Sequence, residues 1–185
     1  QYRQDVSRLN SVNQDWLAML PVGDMVKFGW ISPVPRPSEE VAALLKFFNV
    51  SSITMWHEKY AAYEKAAAFR TSQTLDSNPA SVIAWLRQGE ILAEHIDCST
   101  WNAVRFFESL STIRSLCRNR EPSSFFPELQ RICAENGVAV IAVRSPRGCR
   151  ASGATRFVSP DKALIQLSFR YLSEDHFWFT FFHEA

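Results

Sequence analysis

The residues with the clearest chemical possibility stand at the end of the chain, where His183 and Glu184 follow the aromatic run HFWFTFF. In an HExxH helix, two histidines at i and i+4 share one face and grip a zinc ion, while the glutamate beside the first histidine reaches the metal-bound water as general base. Only the first two residues of that pattern are in the sequence, which stops at Ala185. An isolated His-Glu pair has a plainer reading, a histidine near a helix C-terminus beside a solvated carboxylate. Its place on an otherwise apolar helix weighs towards chemistry, because a core helix has little other use for a glutamate.

Other residues of these types invite plainer readings. His57, His95 and His176 each stand alone on helical stretches. His176 precedes His183 by nearly two turns, about 10 Å along a helix axis, too far to share one ion. Glu90 and Glu94, beside His95, read as a partly solvated face. The loop SPRGCRASG carries Arg147 and Arg150, with Arg156 just beyond. A phosphate or nucleic-acid grip is one reading of it, and a hairpin connection is the simpler one. Cys98, Cys117, Cys133 and Cys149 form no CxxC pair, so neither a zinc knuckle nor a thioredoxin-like site is expected. They read as buried or partly buried free thiols in a reducing cytoplasm.

The elements that must position His183 and Glu184 follow from composition and periodicity. The 185 residues carry 20 Lys plus Arg against 19 Asp plus Glu, a balance that excludes a strongly basic nucleic-acid coat or a polyacidic tail. Fourteen Phe, six Trp and four Tyr exclude a solvated, disordered chain. The length suits one compact domain or two small ones. No stretch approaches the roughly 18 to 20 apolar residues of a membrane span, and no apolar leader follows QYRQDVSRLN. With no Met at the start and a stop inside a helical pattern, both ends read as cut, and a longer parent protein is expected.

A helix over residues 2–20 is expected from Tyr2, Val6, Leu9, Val12, Trp16, Leu17 and Leu20, with Pro21 and Gly23 to end it. ISPVPRP must be extended, and Ser38 is the expected N-cap of a helix with Val41, Leu44, Leu45 and Phe48 on one face. Further helices are expected from about Ser52 to Phe69, after Asn78-Pro79, and from Thr100 to about Cys117, the last with Trp101, Val104, Phe107, Leu110 and Ile113 inward. After Pro122 the character changes. A helix ends at Gly137, VAVIAV reads as a buried strand, and two short strands follow at 154–158 and 163–169. Ser173 is the expected cap of a last helix, apolar all round and therefore expected to be buried on most sides. The fold class is α+β: a mainly helical segment over 1–121, then helix, small sheet and active-site-type helix over 122–185.

PELQRICAENGVAVIAV, SGATRF, ALIQLSFR and DHFWFTFFHEA occur in that order. On these residues the segment from Phe125 to Ala185 resembles the ImmA/IrrE family of zinc metallopeptidase-like proteins. FRTSQT at 69–74 and AWLRQGE at 84–90 are similar to the middle region of longer family members, and YRQDVSRL to the helical tail behind their XRE-type helix-turn-helix, HigA-like, DNA-binding domain. The resemblance implies that His183 is the first zinc ligand and Glu184 the general base. It puts the second His and a third, acidic or His, ligand after Ala185. It also implies a cytoplasmic protein acting on a repressor, antitoxin or toxin partner, with DNA bound through regions outside this chain and no membrane association. Two function classes follow: a zinc endopeptidase that cleaves its partner, and a transcriptional regulator or antitoxin that binds without cleaving. A helical interaction scaffold without chemistry is a third. Since a catalytic zinc takes three protein ligands, this chain alone is expected to bind zinc weakly or not at all.

Overall fold

The computed structural model describes residues 12–34, 36–69, 77–168 and 174–185. The fold is α+β, mainly helical with one three-stranded sheet. It divides into two compact units, Gln1–Arg87 with Ser145–Arg150, and Gln88–Arg144 with Ala151–Ala185. Among the described residues, no helix is long and apolar enough to cross a membrane.

The first unit is built on aromatic helices. Residues 12–19 form α1, and the earlier part of the helix expected over 2–20 lies outside the described residues. α2 (Val22–Lys27) and α3 (Pro37–Phe48) follow, then α4 (Ile53–Phe69) and the start of α5 (Pro79–Glu94). The N-cap of α3 is Arg36, not Ser38. Proline suits the first helical position, with its fixed φ and missing N–H, so Pro37 starts the helix and carries Ser38 inside it. Asn49, at φ 52, ends α3 in the left-handed region, where asparagine is tolerated. At α5 the expected start holds: Asn78 Oδ1 accepts the Ala80 N–H at 2.9 Å. Trp16, Phe48, Trp56 and Tyr60 close on one another, with Trp16–Trp56 and Phe48–Trp56 edge-to-face at 5.8 and 5.7 Å. The indole N–H groups of Trp16 and Trp56 are buried and meet no acceptor among the described residues. Each unmet donor costs about 1–3 kcal/mol, less than the roughly 4–6 kcal/mol that burying an indole's area returns. Burial decides.

The second unit is a sheet of order β1-β3-β2, with β1 (Val138–Val143) parallel and β2 (Gly153–Ser159) antiparallel to the central β3 (Lys162–Ser168). Two helices, α6 (Ala103–Leu116) and α7 (Pro122–Ala134), precede it, and α8 (Glu174–Glu184) follows. The expected cap Ser173 lies outside the described residues. Strand residues alternate between the two faces. Val138, Val140, Ala163, Ile165 and Leu167 pack into one core with Phe106, Ile113, Phe125, Leu129, Trp178 and Phe181 from the helices. On the other face, Gln166 is fully buried against Gly89 of α5, where a Cβ would lie 1.9 Å from the Gln166 amide oxygen. Gly137, at φ +84, makes the turn from α7 into β1, and a Cβ there would sit 2.3 Å from the Trp101 backbone. Gln130 of α7 donates to the Val140 carbonyl at 2.8 Å. Lys162, where β3 begins, donates to the carbonyls of Ala93 (2.6 Å) and Ile96 (2.5 Å) at the end of α5.

One packing expectation changes in part. The secondary-structure character switches at Pro122, but the packing boundary falls at Arg87/Gln88, because Phe106 and Ile113 of α6 belong to the sheet's core. The expected face of α6 holds in part: Ile113 is buried in the core and Leu110 packs against it, but Val104 and Phe107 are 68% and 75% exposed while Phe106 is buried. Trp101 lies before the N-cap Asn102, so it is not on the helix and cannot set its phase.

Candidate functional site

α8 is where the chemistry was expected, and its environment is two-sided. Trp178 and Phe181 are buried against the sheet's core, with Trp178 5.0 Å from Phe125 and 6.1 Å from Phe181 by ring centroids. Phe179 is 73% exposed and Phe182 also faces solvent. The expectation of burial on most sides is therefore corrected. Inward residues recur at helical spacing, and α8 meets packed neighbours along that stripe only. Between the outer stripe and the last turns of α6 lies an open groove of about 1030 Å³, with Arg114 and Arg118 on one wall and Trp178, Phe179, Phe182 and His183 on the other.

His183 is exposed, and its ring stacks nearly parallel on Phe179, four residues earlier, at 6.2 Å and 8°. Glu184 belongs to the sheet side. The Thr155 hydroxyl lies 3.0 Å from Glu184 Oε2 and 2.8 Å from the Glu184 backbone carbonyl, so β2 holds both the carboxylate and the helix end. Two residues earlier on the same face, Gly153 leaves room: a Cβ there would sit 2.7 Å from Glu184 Cγ and 2.8 Å from Thr180 Cγ2. Gly153 and Thr155 lie within SGATRF and were not singled out as site residues. Their period-2 spacing on a strand was the available signal, but nothing in the sequence says which helix residue arrives above them.

The donor set can be tested against a zinc ion. His183 offers one imidazole and Glu184 one carboxylate, and among the described residues no three His, Cys, Asp or Glu side chains gather to hold a metal. Three protein ligands are needed, so the residues present do not complete a zinc site. The other histidines take local roles: the His57 ring stands edge-on to Trp56 at 5.1 Å, and His95 Nδ1 is 2.9 Å from the Ile91 carbonyl. His176 lies in a small cleft with Ser152, Ser168 and Thr180.

The remaining candidates resolve structurally. Glu90 meets Arg156 Nε at 3.4 Å, and Arg156 also donates to Gln166 Oε1 at 3.1 Å, so this arginine serves the sheet rather than the basic loop. In that loop three backbone N–H groups are already used. Arg147 N donates to Asp24 Oδ2 at 2.6 Å, Cys149 N to the Pro146 carbonyl at 3.0 Å and Arg150 N to Ser77 Oγ at 3.2 Å. A phosphate cradle needs those groups free. None of the four cysteines forms a disulfide; Cys133 and Cys149 are buried and Cys98 and Cys117 half-buried. Burial raises the Cys98 and Cys117 thiols. It pushes Cys133 up to about 12, with Cys98 nearby adding to the rise. None of these three is poised as a nucleophile. No protein-family model, curated protein or solved structure matches the chain.

Proposed function

We propose that the second unit is the opening part of a zinc-peptidase-like domain of the ImmA/IrrE type, in which His183 is the first metal ligand and Glu184 the general base. One observation supports this reading above the others: Glu184 at the end of α8 lies against the antiparallel edge strand β2, its carboxylate fixed by Thr155. A base held beside a free strand edge is close to any peptide laid along that edge. Zinc, when bound, would supply a polarised water. The chain's own part is to present the Glu184 carboxylate as proton acceptor. The second His and the third ligand belong to residues after Ala185 in this reading. The setting is cytoplasmic, the substrate a repressor, antitoxin or toxin, and any DNA contact is made by regions outside this chain.

The second reading is a regulator or antitoxin that binds without cleaving. Metal analysis of the native protein separates the two. The peptidase reading expects stoichiometric zinc that is lost in His183→Ala, and cleavage that stops in Glu184→Gln with the metal retained. A native protein without zinc, or zinc that survives His183→Ala, sinks it.

A further inference from the structure

We propose that Thr155 and Gly153 are positioning residues that set the Glu184 carboxylate, an inference that rests on Glu184 being the base. A hydroxyl carries one proton, yet two Glu184 oxygens lie within reach of Thr155 Oγ1, the backbone carbonyl at 2.8 Å and Oε2 at 3.0 Å. That proton goes to one acceptor at a time. Given to the backbone carbonyl, it leaves the carboxylate without that bond. Given to Oε2, it fixes the carboxylate rotamer and leaves Oε1 for a reacting proton. Through the second of these, Thr155 sets the orientation of the base.

Gly153 sets the distance. Its missing Cβ lets α8 settle until Glu184 Cγ and Thr180 Cγ2 come within 2.7 and 2.8 Å of the position that atom would occupy. A side chain there forces the Glu184 and Thr180 side chains to shift and takes Oε2 out of the hydroxyl's range. Register makes this specific. Gly153 and Thr155 pair with Leu167 and Ile165, so both point to the face that α8 covers. Their neighbours Ala154 and Arg156 point to the opposite face.

The test uses this chain with ¹³C-labelled glutamate, following the Glu184 Cδ resonance assigned by its loss in Glu184→Gln. Thr155→Val keeps the shape and removes the proton, and is expected to shift the resonance. Thr155→Ser, which keeps the hydroxyl, is expected to return it towards the wild-type position. Gly153→Ala is expected to shift it as Thr155→Val does. Thr155 is exposed, so its variants retain the fold. A Glu184 resonance unmoved by Thr155→Val overturns the proposal. In the native protein, Thr155→Val is expected to lower kcat at least tenfold with KM little changed, and Thr155→Ser to recover most of it. If the resonance shifts as expected while Glu184→Gln leaves native cleavage intact, the positioning stands and the peptidase reading falls.

Discussion

The aromatic cluster of the first unit and the aromatic helix of the second have similar compositions and different fates. Trp16, Phe48 and Trp56 are all at most 1% exposed. They come from three helices, each of which offers its aromatic face to the other two. In α8 the aromatic residues run almost consecutively, so they cannot share a face; Phe181 is fully buried while Phe179 is 73% exposed. Aromatic content does not determine burial. The number of neighbouring elements does, and a 100° step per residue divides a continuous aromatic run between core and solvent.

The sharpest way to break that comparison is truncation on each side. Trp56→Ala and Trp178→Ala should each cost about 3–5 kcal/mol, read by denaturant unfolding, despite one residue lying in a fully aromatic cluster and the other on a half-exposed helix. A melt of Trp178→Ala that matches wild type would mean that α8 is not packed on the sheet. Next in size is Gly137→Ala, which adds left-handed strain to a Cβ placed 2.3 Å from the Trp101 backbone. It should lose on the order of 3 kcal/mol.

A smaller and pH-dependent effect belongs to Cys133, whose thiol is moved by burial from 9.0 to about 12. Between those values the folded chain keeps a proton that the unfolded chain has lost. Stability is then fully present below about pH 9 and falls as pH rises towards 12. Unfolding free energies measured across that window should fall less steeply in Cys133→Ala than in wild type. Equal slopes would show that the thiol is not held protonated. Smallest of all, Phe179→Ala should change stability by within about 0.5 kcal/mol, as an exposed site does, the direct counterpart of Trp178→Ala. Zinc titration of this chain, followed by calorimetry, should give no stoichiometric sub-micromolar binding, and His183→Ala should leave the trace unchanged. Tight binding through His183 would reveal ligands that the ligand count omits.

Much of the fold was legible where the signal is local. VAVIAV is a strand because a β-branched run bounded by Gly137 can be little else, and Asn78-Pro79 opens α5 through a cap bond only two residues long. Ser38 misled because serine's capping tendency was weighed without the stronger backbone constraint of Pro37. Val104 and Phe107 misled because a periodic face was anchored on Trp101, which is not helical. His183 and Glu184 could be picked out from residue type alone. That Glu184 turns to β2 while His183 lines the groove was not legible, since the Thr155–Glu184 bond spans 29 positions and depends on strand register. The basic loop followed the same rule: its two arginines were visible, and the partners already holding part of its backbone were not.

The Gln130–Val140 bond has a consequence for self-association. The Ala163 N–H bonds the Gly137 carbonyl, so in this parallel pair Gly137, Ala139, Ile141 and Val143 bond towards β3 and Val140 points its peptide groups away from it. The outward carbonyl of Val140 is the one that Gln130 occupies. A foreign strand arriving along β1 would meet a stopper at the middle of the row. Along β2 the Ser168 N–H to Ser152 carbonyl bond fixes the opposite parity, which turns the peptide groups of Gly153 and Thr155 outward. Polymerisation by edge-to-edge strand addition needs two open edges per molecule. With one stoppered, strand addition would end at a pair rather than propagate as a fibre, and Gln130→Leu would remove that stop.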